Sequence, residues 1–287
     1  MHKIGLHGKS FIPMLVGFGC TVPAIMATRT LDTRRDRLIT MLVLPLISCG
    51  ARFPIYTLLI PAFFPAALQG PMLWLIYVIG ILLAIGIAKI LGKWVFKEKS
   101  GGLVIELPPY RLPTLRSVLL HMWQRSALYL RKAGTVILAT SIVLWLMINY
   151  PQLPESAGHG KSAEMEYSIA GRIGKGLEPV LKPMGFDWKI GTALIGALAA
   201  KEVFVAQLAI VHSMGETPDN TATLRETLRR EYRPLTGFCM LLFALIGFPC
   251  MATVAVTRAE SGRWKWALLQ FGGLTALAYV ITTLAYQ

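Results

Sequence analysis

The chain has 287 residues, 54% of them hydrophobic and only 15% charged, against about 25% charged in an ordinary soluble domain. That excludes a soluble globular protein with a conventional surface, and at about 20 apolar residues per bilayer span it leaves room for about seven spans and no separate globular domain. The net charge of +14, from 29 Lys+Arg against 15 Asp+Glu, would point to nucleic acid in a soluble protein, but in a membrane chain it sets loop orientation, and no nucleic-acid partner is expected.

Apolar runs between basic or turn-rich breaks predict an all-α polytopic helical membrane protein of about seven segments. The first, Phe11 to Thr28, contains Gly17, Gly19 and Pro23. The second, Leu38 to Phe64, exceeds a straight span and carries Pro45, Ser48-Cys49-Gly50-Ala51-Arg52 and Pro54. Prolines so spaced, with small polar residues between them, predict a helix broken inside the membrane, where irregular backbone survives only if it lines a cavity. Pro71 to Leu91 reads as an uninterrupted third segment. Lys89 to Lys132 is basic and reads as a cytoplasmic loop. Within it Leu115, Leu119, Met122 and Trp123 oppose Arg116, Gln124, Arg125 and Arg131, which predicts an amphipathic helix lying in the membrane interface.

Ala133 to Asn149 is the fourth segment. The stretch from Tyr150 to Asp187, rich in proline and glycine, reads as external or re-entrant. The fifth segment, Ile190 to His212, is apolar except for Lys201-Glu202. A short charged helix, Leu224 to Tyr232, is expected in the loop that follows, cytoplasmic if segments alternate, although Arg258, Arg263 and Lys265 in the next connection conflict with that sidedness. Leu235 to Val256, with Gly247 and Pro249, and Trp264 to Tyr286 complete the set. No signal peptide is visible, and the start reads as an entry into the middle of a domain.

Gly17-Phe18-Gly19-Cys20 followed by Thr28-Arg29 matches Gly247-Phe248-Pro249-Cys250 followed by Thr257-Arg258, an internal repeat of two broken segments. Paired broken segments in two halves point to a transporter's central site. Thiolates are soft ligands for late transition metals, so Cys20 and Cys250 are the first candidates on an ion path, set against the plainer reading that a buried Cys is a small apolar residue. Cys49, beside the Pro45–Pro54 break, is a third candidate, and Cys239 reads as packing. Ionisable groups at membrane depth usually face a cavity or each other. Glu202 is therefore expected to face the path as a cation ligand, with Lys201 tied to backbone carbonyls or snorkelling; the alternative places both at an interface. Arg52 raises the same question. The Gly5-Leu6-His7-Gly8-Lys9-Ser10 stretch is not a phosphate-binding loop, because Lys3 stands where a glycine is required and no strand precedes it. No catalytic set is visible and no stably bound cofactor is expected.

The runs His7-Gly8-Lys9-Ser10-Phe11-Ile12-Pro13-Met14-Leu15, Gly17 to Ala24, Arg34-Arg35-Asp36-Arg37-Leu38 and Ser48 to Arg52 closely resemble the membrane domain of FeoB-type ferrous iron transporters. Ala199-Ala200-Lys201-Glu202 and Phe248 to Thr253 resemble the same family. The resemblance implies a multi-pass protein of the bacterial cytoplasmic membrane with two gate-like repeats, moving Fe(II) inward past Cys20 and Cys250. It divides the chain into a first gate-like region (1–92, incomplete at its N-terminus), a basic loop (93–132) and a second gate-like region (133–287). The family's GTPase domain, helical linker and earlier membrane helices do not appear in this chain. The reading is therefore a split or truncated transporter, partnered by a GTPase-bearing fragment, small Feo accessory proteins, lipid and, in some assemblies, a second copy. Two rivals are a transporter of another solute such as a nucleoside, and a non-transporting membrane interaction subunit docking through the basic loop.

Overall fold

The computed structural model describes residues 8–95, 114–150, 167–212 and 220–287, which form helices and turns with no strand among them. Residues 96–113 of the basic loop and 151–166 of the proline- and glycine-rich stretch, with the expectations placed on them, lie outside the described residues.

The first predicted segment is two short helices, α1 (Phe11–Gly17) and α2 (Thr21–Ala27), parted by Phe18, Gly19 and Cys20. The second is α3 (Arg34–Val43), a 3-10 turn at Leu44–Leu46, an extended stretch through Cys49, another 3-10 turn at Gly50–Arg52, and α4 (Phe53–Phe63). Pro45 accounts for the interruption: it has no N–H for the Met41 carbonyl four residues back. That carbonyl instead accepts a 2.7 Å hydrogen bond from Gln270 Nε2, whose Oε1 accepts from Thr257 Oγ1 at 2.8 Å. Pro23 and Pro54 behave differently from the expectation that they break helices. Both fall in the first turn of a helix, where the missing N–H costs nothing, so they start α2 and α4.

Helix α5 (Ala66–Ile90) is continuous and runs into a π turn at Leu91–Val95. Helix α6 (Leu115–Asn149) joins the expected interfacial helix to the fourth segment without a break. No proline lies between those residues, and the lone Gly134 costs only about 1 kcal/mol. Within the stretch read as external, α7 (Ile169–Leu181) is a helix N-capped by Ser168. It packs on α8 (Trp188–Ala199) at Gly174, where a Cβ would overlap Thr192. The fifth segment, read as one run, is broken at Ala200–Glu202 between α8 and α9 (Val203–Val211). The charged loop helix is α10 (Asn220–Glu231), laid on α4 through Leu224 and Leu228. The sixth segment is α11 (Pro234–Ile246) and α12 (Met251–Ser261), parted by Gly247 to Cys250, and the seventh is α13 (Trp264–Tyr286).

Among the described residues, four stretches are long and apolar enough to cross a membrane: Arg34–Phe63, Ala66–Val95, Pro234–Ser261 and Trp264–Tyr286. The two interrupted ones are mostly buried, at 72% and 78% of their apolar windows, and the two continuous ones lie at the rim, at 22% and 28%. Trp74, Leu82, Leu268 and Leu284 on the rim helices are exposed, as lipid-facing residues are, whereas broken backbone is kept away from hydrocarbon. One apolar core draws on both ends of the chain, from Ile39 to Ala88 and from Leu181 to Ala278. A smaller one joins Val22, Ile25 and Leu44 to Ala252 and Val256, so that α2 lies against α12.

At the far ends of α2 and α12 the contact becomes ionic. The Glu260 side chain is 3% exposed and takes both the Arg29 guanidinium, through two of its nitrogens, and Arg37 Nη2 at 2.8 Å. The hydrogen bond to Glu260 raises the pKa of Arg29 against the opposing effect of its partial burial. Outside the spans, Tyr232 donates to Asp187 Oδ2 at 2.7 Å while Asp187 Oδ1 caps α8 through Ile190 N at 2.9 Å. Burial, followed by the Asp187 charge, pushes the Tyr232 pKa up, so the phenol stays a donor.

Replacing Glu260 by Gln removes the charge shared by two arginines. Because both arginines are partly exposed, the expected loss is about 1–3 kcal/mol, below the value for a fully buried pair. Thermal unfolding in detergent measures it, and an unchanged midpoint would show that the clamp holds nothing.

Candidate functional site

The four interruptions, at Phe18–Cys20, Ile47–Cys49, Ala200–Glu202 and Gly247–Cys250, converge. Cys20, Thr21, Pro45, Cys49, Arg52, Ala199 through Glu202, Pro249, Cys250 and Thr253 line one cavity of about 200 Å³. Each cysteine here is the N-cap of the element after its break: Cys20 of α2, Cys250 of α12 and Cys49 of the Gly50–Arg52 turn. All three are partly accessible. Cys239 is buried within α11, its Sγ 3.8 Å from the Thr282 carbonyl, in keeping with a packing role.

The two buried cations are committed. Arg52, 2% exposed, donates from Nη1 to the Ile47 carbonyl at 3.1 Å and from Nη2 to the Pro45 carbonyl at 2.6 Å. Lys201, 5% exposed, donates from Nζ to the carbonyls of Ala244 at 2.7 Å and Gly247 at 2.8 Å. This is the first of the two arrangements expected for Lys201, the other being snorkelling. Glu202 stands next to it as the N-cap of α9, exposed on the cavity wall. The pair therefore lies together within a backbone break and not on a continuous helix.

Two breaks are joined directly, since Gly50 N donates to the Gly19 carbonyl at 3.0 Å and a Cβ on Gly50 would stand 3.3 Å from that oxygen. The Gly247 break is the strained one. Phe248 has φ of 40° immediately before Pro249, a region that bulky residues avoid. Its ring is held between Phe243 and Phe271, with centroids at 5.3 and 5.9 Å. Phe18, at the matching place in the first motif, is instead right-handed and exposed. Gly17 approaches Leu44 at a built Cβ distance of 3.2 Å, and Gly247 fits against Phe243 and Ala278.

The cavity thus offers three thiols, one carboxylate and the hydroxyls of Thr21 and Thr253, the last 3.0 Å from Cys250 Sγ. Among the described residues no three of His, Cys, Asp and Glu stand close enough to hold a metal ion together. The donors ring a space and do not form a finished coordination sphere. Sequence reasoning did not select Thr21 and Thr253, though they lie one and three residues after Cys20 and Cys250. It also missed Gln270 and Glu260. Pro45 was the available signal for Gln270, because a proline in an apolar helix orphans the carbonyl four residues back and requires an outside donor.

A helical, strongly apolar chain whose broken helices meet at a small cavity is the architecture of membrane transport proteins. The family described as "Nucleoside recognition" (Gate) matches residues 1–63 and 130–264, and that described as "Ferrous iron transport protein B C terminus" matches residues 73–125. An Fe(2+) transport protein A/Fe(2+) transporter FeoB fusion protein of Porphyromonas gingivalis is 42% identical over the whole of this chain and 38% of its own length. The Fe(2+) transporter FeoB of Campylobacter jejuni is 40% identical over 98% of this chain and 46% of its own length, and that of Helicobacter pylori J99 is 36% identical over 100% and 49%. No solved structure matches. The chain belongs to the Gate family, and over its whole length it is similar to part of FeoB transporters. It spans less than half the length of these relatives.

A water-soluble thiol reagent applied to the detergent-solubilised protein is expected to label Cys20, Cys49 and Cys250 and to spare Cys239. Mass spectrometry of the labelled peptides reads this directly, and labelling of Cys239 as fast as the others would contradict the burial described.

Proposed function

We propose that the chain is the permease portion of a ferrous iron transporter of the bacterial cytoplasmic membrane, and that Fe(II) crosses through the cavity at the four breaks. The observation that carries this reading is the convergence of three of the four cysteines on that cavity, each at the start of a separate element. Cys20 and Cys250 act as transient ligands, with Cys49 and Glu202 beside them. Binding is weak by design, since a conducting site must also release its ion. Size favours an ion over an organic solute: about 200 Å³ is below the roughly 300–1,000 Å³ of sites for small organic ligands.

In this reading the chain crosses the membrane about seven times, four of the crossings being pairs of half-helices. The two G-F-x-C segments are gate repeats, one in residues 1–92 and the other in 133–287, around the basic connection at 93–132. The relatives' greater length supports a further, GTPase-bearing part as the partner that drives the gates. The Feo accessory proteins and a second copy are further proposed partners, and no enzyme activity is proposed for the residues of this chain.

Cys20→Ser and Cys250→Ser are each expected to lower anaerobic radio-iron uptake at least about tenfold, the loss that even an outer-shell partner of a metal site causes, with membrane insertion unchanged. Uptake is measured in cells lacking other ferrous transporters, with this chain expressed alone and beside a separate FeoB-like GTPase fragment. Uptake only with the fragment identifies it as the driving partner. Normal uptake in both single variants and the double removes the thiols from the path.

A further inference from the structure

We infer that Arg52 and Lys201 make this cavity selective against hard cations, by occupying with tethered nitrogen donors four backbone carbonyls that would otherwise be open to them. The inference deepens the proposed function and rests on it for its physiological meaning. Broken helices in membrane proteins expose carbonyl oxygens at their interrupted ends, and such oxygens are the usual ligands of sodium, potassium and calcium ions. Here several of those oxygens already have donors. Arg52 takes the carbonyls of Pro45 and Ile47, and Lys201 takes those of Ala244 and Gly247. Gly19 O is taken by Gly50 N and Ala200 O by Val203 N.

Both cationic side chains line the cavity and are almost completely buried. Each spans a break, Arg52 within one segment and Lys201 from the α8–α9 break to the end of α11. A permeating cation therefore meets the Arg52 guanidinium and the Lys201 side chain on the wall, beside thiols, hydroxyls and Glu202. A hard cation gains little from a thiol and is repelled by the guanidinium, whereas a borderline or soft divalent ion gains sulfur coordination that offsets the repulsion. Arg52 and Lys201 are positioning residues: they do not ligate the transported ion, and they decide which donors face it.

The test uses the whole protein in detergent, with its thermal midpoint followed as calcium or sodium chloride is added and choline chloride as the control. The wild type and Lys201→Arg are expected to respond to neither cation. Lys201→Met and Arg52→Gln free two carbonyls each, and calcium at about a hundredfold excess over its Kd should raise their midpoints by about 5 °C. Lys201→Met that survives extraction only with calcium or sodium present, and not with choline, is an equally supporting result. Equal stabilisation of wild type and variants overturns the inference, as do variants that are monodisperse and unresponsive or that no cation recovers. Iron uptake by the wild type is a separate arm. Its absence beside the expected calcium pattern removes the transport reading alone, and its presence without that pattern removes the selectivity inference alone.

Discussion

The arrangement depends on how interrupted helices are satisfied away from water. A helix that stops inside an apolar region leaves carbonyls without donors, and each unpaired polar group costs several kcal/mol in hydrocarbon. The interruption of α3 is completed by Arg52 at Pro45 and Ile47 and by Gln270 at Met41, and the end of α11 is completed by Lys201. Once these donors are in place, the breaks can sit side by side and enclose a cavity. The cavity is therefore a product of the same contacts that make the breaks tolerable. A charged side chain that would be costly at membrane depth is placed where its donors have fixed acceptors.

The donors come from elsewhere in the chain. Lys201 reaches 43 and 46 residues forward, and Gln270 reaches 229 residues back. Such bonds weld the two halves into one core, visible also in apolar contacts between residues 39–88 and 181–278. Neither half presents a self-sufficient hydrophobic interior, because α4 packs on α11 and α10 while α2 packs on α12.

This distribution explains what could be read beforehand. Apolar continuity is local, so the bounds of α13 were legible to the residue and those of most other apolar runs to within about five, whereas the fourth run is merged into the 35-residue α6. Gly17, Pro45 and Gly247 announced interruptions through backbone rules that operate over four residues. The Cys20 and Cys250 motifs announced a shared location through their repetition, and Lys201 announced a carbonyl partner through the cost of burying its charge. The identity of that partner, on α11, was not written in any local window. Neither was the Glu260 clamp, whose arginines lie more than 220 residues away. The break at Ala200–Glu202 was hidden for a related reason. No proline or glycine marks it locally, and Lys201 within it reaches the distant carbonyls of Ala244 and Gly247.

Geometry at α2 and α12 shows how the proposed weak metal site can coexist with a firm scaffold. The two helices start side by side at Cys20 and Cys250 and end in the Arg29–Glu260–Arg37 clamp, so they run in the same direction. Nine and ten residues at 1.5 Å each put the clamp roughly 13–15 Å from the thiols. The carboxylate–guanidinium contacts therefore act at one end and fix the pairing of the helices, while the cavity end is held by the bonds of Arg52 and Lys201 to backbone carbonyls and by Phe248 in its strained conformation. The thiols are borne on separate elements, and among the described residues no three of His, Cys, Asp and Glu stand close enough to form a rigid sphere. A binding site built this way can hold an ion briefly without becoming a trap, because the groups that secure the fold are different from the groups that touch the ion.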